Sequence, residues 1–182
     1  MTRIQRRVTA FSLTACMAVS LTACGGGREY TVPKAACGVP LNEKMLEPFL
    51  FDGEKLEVTG GSVIETGTSS HGSCEIRVDG KRVVRLEVEK VDKLYDPMDP
   101  SEEFRFTNRK KISGLPFDGL GALGDSSSMV STGCSGDEVD YLIAYVSLDG
   151  EADGDVMQRR EDLESFTLDF VPKVKKKLGC TA

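Results

Sequence analysis

The chain has no tryptophan and one histidine, His71. With only four tyrosines as well, the aromatic platforms on which glycosidases stack sugars are scarce. Its six cysteines contain no CxxC pair, the close spacing that zinc sites use. No serine sits in a GxSxG nucleophile elbow. Basic residues are also in short supply. Residues 1–23 hold three of the 23 Lys and Arg and none of the 29 Asp and Glu, so the remainder carries 20 against 29, a net of −9. That balance excludes nucleic acid, whose phosphates require clustered Lys and Arg. It also argues against attachment to anionic lipid through charge. Lys173, Lys175, Lys176 and Lys177 do cluster, but they fall in the last turns of an expected helix and complement its negative end.

What is present begins with an export address. Arg3, Arg6 and Arg7 precede an uncharged run, Val8 to Ala23, of 16 residues. That is shorter than the ~20 residues a membrane-spanning helix needs. A basic start, a short apolar core and small residues before the cut form a cleavable signal. The run ends Leu21-Thr22-Ala23-Cys24, which resembles the lipobox of bacterial lipoproteins. That resemblance implies cleavage before Cys24, lipidation of its thiol and an anchor in the outer leaflet of the cell membrane. Gly25-Gly26-Gly27 then reads as a flexible tether. Ser-Leu-Thr-Ala-Cys occurs twice, ending at Cys16 and at Cys24. Cleavage before Cys16 would leave an apolar core of about eight residues and an apolar mature terminus, so Cys24 is the expected site. The expected organisation is a signal peptide at 1–23, a tether at 24–36 and one extracytoplasmic domain at 37–182.

Four other cysteines remain: Cys37, Cys74, Cys134 and Cys180. An even number of widely spaced cysteines in an exported chain implies disulfides, and four allow three pairings. Cys37–Cys74 and Cys134–Cys180 are preferred, because each ties an expected helix to a nearby strand.

Apolar spacing at Leu41, Met45, Leu46, Phe49 and Leu50 predicts a short helix that starts at Pro40 and is limited by Pro48. Leu56, Val58, Val63 and Ile64 predict short strands around Gly60-Gly61. The clearest local signal is a β-hairpin. Cys74, Ile76 and Val78 alternate with Glu75 and Arg77, Asp79-Gly80 follows, and Val84, Leu86 and Val88 alternate with Arg85, Glu87 and Glu89. Residues 92–103 read as a loop, and Phe104-Arg-Phe as the start of an extended segment. The stretch from Ile112 to Asp125 is too rich in glycine for regular structure. Ser128–Cys134 and Tyr141–Leu148 read as strands, the second apolar enough to be central. Leu163, Phe166, Phe170, Val174 and Leu178 predict a long helix over about 157–178, kinked at Pro172 and ended by Gly179. The fold class is α+β: a mainly antiparallel sheet with an N-terminal and a long C-terminal helix on one face, and two disulfides.

A lipobox, a cysteine before a helix, a cysteine opening a strand, a Gly-Leu-Gly link, a cysteine-bearing strand and a helix ending Lys-Lys-Leu178-Gly179-Cys180 together resemble the small actinobacterial lipoproteins of unknown function. The layout is more distantly similar to their sensor-like extracellular domains. The resemblance covers roughly 37–180. It implies an exported α+β domain with two disulfides and brings no catalytic residues with it.

For metal chemistry the candidate is Asp149, Glu151, Asp153 and Asp155, whose alternate spacing with Gly154 between the last two imitates a calcium loop. Arg160 stands where the closing bidentate glutamate belongs, so the preferred reading is a solvated acidic loop and no cofactor. His71, among serines and glycines, and Asp125-Ser126-Ser127-Ser128 read as loop and turn rather than as a base and nucleophile. The carboxylates are numerous enough to supply a glycosidase-like pair. The expected function is a non-catalytic binding or sensory module of the cell envelope, with the membrane and an unidentified ligand or envelope protein as partners. The alternatives are an accessory lipoprotein docked to an envelope complex and, behind it, a hydrolase.

Overall fold

A computed structural model describes residues 27–64, 70–136, 139–149 and 154–180. Two short strands, β1 (Ala35–Ala36) and β2 (Val39–Pro40), form a small hairpin with Cys37 and Gly38 at its turn, both at positive φ. Helix α1 (Glu43–Leu46) follows, capped by the Asn42 side chain, which accepts from the Lys44 amide at 3.1 Å. It is a single turn. A 3-10 turn at Glu47–Phe49, with Pro48 inside it, replaces the rest of the expected helix.

The remaining strands are β3 (Leu56–Gly60), β4 (His71–Val78), β5 (Lys81–Val91), β6 (Lys110–Lys111), β7 (Gly119–Leu123), β8 (Ser127–Gly136) and β9 (Val139–Leu148). They form one antiparallel sheet of seven strands in the order β3-β4-β5-β9-β8-β7-β6. Two meanders, β3-β4-β5 and β6-β7-β8-β9, therefore meet along β5 and β9. The expected hairpin is present: Asp79 (φ 48°) and Gly80 (φ 76°) form the two-residue turn that the twist of β4 and β5 favours. Strand β9 is central, as its apolar run requires.

Helix α2 (Val156–Lys177) covers one face of the sheet. It buries Leu163, Phe166, Phe170, Val171 and Val174 against Ile76, Val84, Leu86, Val130, Leu142 and Val146. Burying each such side chain contributes about 1.5–3 kcal/mol. The rings of Phe166 and Phe170 stack at 6.0 Å, and Phe49 meets Phe166 edge-on at 5.7 Å, which joins α1 to α2. The helix runs through Pro172, which lies on its exposed side. It closes at Gly179 (φ 70°), where the amides of Gly179 and Cys180 donate back to the carbonyls of Lys176 and Lys175.

That closing turn positions Cys180 for Cys134 in β8; the second bridge joins Cys37 to Cys74 in β4. The pairs are the preferred ones, but Cys37 sits in the β1–β2 turn and not on a helix. Disulfides of this kind persist in oxidising, extracytoplasmic compartments. Among the described residues no helix is long and apolar enough to cross a membrane.

Candidate functional site

The side of the sheet away from α2 is built in two halves. Alternation along the strands decides which side chains reach it. On β4 and β5 the even-numbered apolar residues face α2, so Glu75, Arg77, Arg85, Glu87 and Glu89 face outward. On β8 and β9 the outward residues are Met129, Ser131, Ile143 and Tyr145.

The β8–β9 half is roofed. After β5 the chain crosses it, and Val91, Tyr95 and Phe106 pack on Met129, Ile143 and Tyr145 as a second, smaller core. The Tyr95 amide donates to Ser131 Oγ at 3.1 Å. Residues Pro100–Arg105 form a 3-10 turn in this strap, where an extended segment was expected at Phe104. Asp99 begins the turn by accepting from Ser101, whose backbone and hydroxyl bonds hold its carboxyl below the usual range. Arg109 closes the strap on itself through the carbonyls of Pro97 and Asp99. The Arg105 guanidinium lies 4.6 Å from the Tyr145 ring centroid and pairs with Glu102 at 2.6 Å. Burial, with Glu89 nearby, raises the Tyr145 phenol well above its ordinary value.

The β4–β5 half is polar and solvent-accessible. Three arginines share Glu75: Arg77 at 2.6 Å, and Arg82 and Arg85 at 3.6 Å. Arg85 also donates to Glu87 at 2.8 Å, and Glu87 meets His71 Nε2 at 3.3 Å. Arg77 and Arg82 stand directly opposite each other in the register. Like charges in that position are locally unfavourable. Among the described residues the Nε atoms of Arg82 and Arg85 are buried without a hydrogen-bond partner.

The residues singled out in the sequence fall elsewhere. Cys24 lies outside the described residues, as do Glu151 and Asp153. Asp149 follows β9 and lies beside Arg82, at 3.9 Å. Asp155 caps α2, its carboxylate accepting from the amides of Met157 and Gln158. Arg160 is buried and pairs with Asp125 at 2.9 Å. Among the described residues no group of three or more His, Cys, Asp or Glu is placed to hold a metal. The register sets His71 level with Ser131 of β8, three strands away and four residues along from Ser127, and Ser128 points into the core, bonded to Thr167 at 2.6 Å. Alternating charge gave the hairpin its face, but nothing in the sequence separated the open half from the roofed one. The strap that makes the difference carries no periodic signal.

No protein-family model matches the chain, and neither a curated protein nor a solved structure matches it.

Proposed function

We propose that this protein is a lipid-anchored module of the cell envelope, held to the membrane through Cys24, that binds an envelope ligand or protein without catalysis. The observation that carries the binding reading is the open half of the outer sheet face. Three arginines there converge on one carboxylate, two of them too far from it for a hydrogen bond. Exposed ion pairs contribute about 0–1 kcal/mol each, so stability gives little reason to hold Arg77 opposite Arg82. A rigid strand pair that presents charged donors beside a roofed aromatic cluster suits recognition of a polar partner.

The test is site-specific photocrosslinking in cells that export the protein. A crosslinker at Arg82 should capture a discrete partner, and Arg85→Glu should abolish the product. A crosslinker at Glu164, on α2, should capture none. Equal capture at both positions, or none at Arg82, contradicts the reading.

A further inference from the structure

The end of the sheet formed by the β4–β5 turn gathers several elements that are distant in sequence. The register brings the first residues of β3, β5, β6 and β8 and the last residues of β4, β7 and β9 to this end. The start of the described chain lies here too. The Glu29 amide donates to the Gly53 carbonyl at 2.9 Å, and Gly53 lies so close to Asp79 that a Cβ would stand 2.5 Å from its carboxylate. The first turns of α2 arrive through Arg159 and Arg160, which both bond Asp125. The strap arrives through Arg105, whose carbonyl accepts from Ser127 Oγ at 2.8 Å.

The exposed apolar side chains follow the same geography. Six large hydrophobic residues are exposed among those described: Phe51, Val58, Leu94, Phe104, Val156 and Met157. Four lie in segments that reach this end, and Val58 stands level with Leu148 in the register. Phe51 precedes Gly53 by two residues, Phe104 precedes Arg105, and Val156 and Met157 open α2. Phe104 is 77% exposed and Met157 60%.

Covalent geometry supplies the occupant. Glu29 is five residues on from Cys24, so at ~3.6 Å per step an acylated Cys24 sits within about 18 Å of this end. The far end of β5 lies about 33 Å further on, at ~3.3 Å per residue. We infer that this end of the domain seats on the phospholipid surface, with Phe51, Phe104, Val156 and Met157 dipping into the headgroup–acyl boundary. The inference rests on lipidation at Cys24 as proposed above.

Three of the aspartates at this end are engaged within the protein. Asp79 accepts from the amides of Glu54 and Lys55, Asp125 from Arg160 and Asn108, and Asp155 from the first amides of α2. Lys55, which pairs with Glu57, and Lys81 and Lys110 are exposed at the same end, as are Glu29, Asp52 and Glu54, so the seat rests on apolar burial and not on charge. Apolar tips of this kind bury about 5–10 Å into the interface.

Because the chain has no tryptophan, a single substitution provides a unique fluorescent probe. The full mature, lipidated protein is reconstituted into phosphatidylcholine vesicles with brominated acyl chains, which quench a neighbouring indole. Phe104→Trp and Met157→Trp should each be quenched at least about twofold more than Lys176→Trp at the opposite end of α2. If the protein floats with the vesicles and all three are quenched alike, the anchor stands and the seat is wrong. If none of the three proteins floats with the vesicles, lipid anchoring itself fails, and the seat with it.

Discussion

Arg160 donates to the Asp125 carboxylate at 2.9 Å across the junction between α2 and the β7–β8 turn, and both side chains are largely buried, 9% and 16% exposed. The same guanidinium donates to the Asn108 carbonyl at 2.9 Å, so one side chain ties the helix, the turn and the strap. Removing one partner of such a pair leaves a buried charge uncompensated, which costs about 3–5 kcal/mol. Arg160→Ala should lower the urea midpoint accordingly, and Asp125→Ala should do nearly the same. The double variant should fall well short of the sum of the two. Additive losses in the denaturation curves would show that the two groups do not act as a pair.

The disulfides close loops with sequence separations of 37 and 46. In the chain-entropy account each is worth up to about 4 kcal/mol. Replacing Cys134 and Cys180 together by serine should lower thermal stability and loosen the end of α2 first, because the bridge fixes the residue beyond its cap. Replacing Cys37 and Cys74 should instead free the β1–β2 hairpin. Hydrogen exchange of each variant, read element by element, distinguishes these outcomes from uniform destabilisation.

Tyr145 makes stability fall in alkali. Burial is the main cause of its raised phenol value, followed by the negative charge of Glu89. Below about pH 10 both folded and unfolded chains keep the proton, and the contribution is fully present. Above it the unfolded chain ionises first, so unfolding gains free energy and stability declines as pH rises towards the folded value. Urea midpoints measured between pH 9 and 11 should decline for the native protein, and the decline should be shallower for Tyr145→Phe. Tyr30, raised by its own desolvation, leaves part of the slope in that variant. Parallel declines would place the alkaline sensitivity elsewhere.

The sequence made the two strongest periodicities plain. Alternation on either side of Asp79-Gly80 located β4, β5 and their buried face, and the helical stripe ending at Gly179 located α2. The expected helix at 41–50 shrank to one turn because Pro48 removes a backbone donor in its interior and Asn42, not Pro40, supplies the cap. Residues 119–123 were expected to be irregular, yet they form β7. Gly121 there lets Ile112 approach to where a Cβ would stand 3.1 Å away, a contact that spacing cannot show. Val63 lies outside any strand but is fully buried, and its amide donates to the Cys37 carbonyl at 2.9 Å. In the sequence Arg160 reads only as a misfit in a calcium loop; its partner Asp125 lies 35 residues away, too far for a local pattern to link them. The outer face was half legible for the same reason. Its charges alternate along β4 and β5, but the strap that roofs Tyr145 is placed by contacts between distant segments.

Membrane attachment through Cys24 is the claim on which the proposed role depends, and fractionation with mass spectrometry of the exported protein tests it most directly. The expected result is a mature chain that begins at acylated Cys24 and pellets with membranes, and a Cys24→Ser variant that is released or remains as uncleaved precursor. More than one acyl chain is needed for stable anchoring, so the mass should show at least two. Membrane retention and an unchanged mature mass in Cys24→Ser, with both lost in Cys16→Ser, would contradict the account.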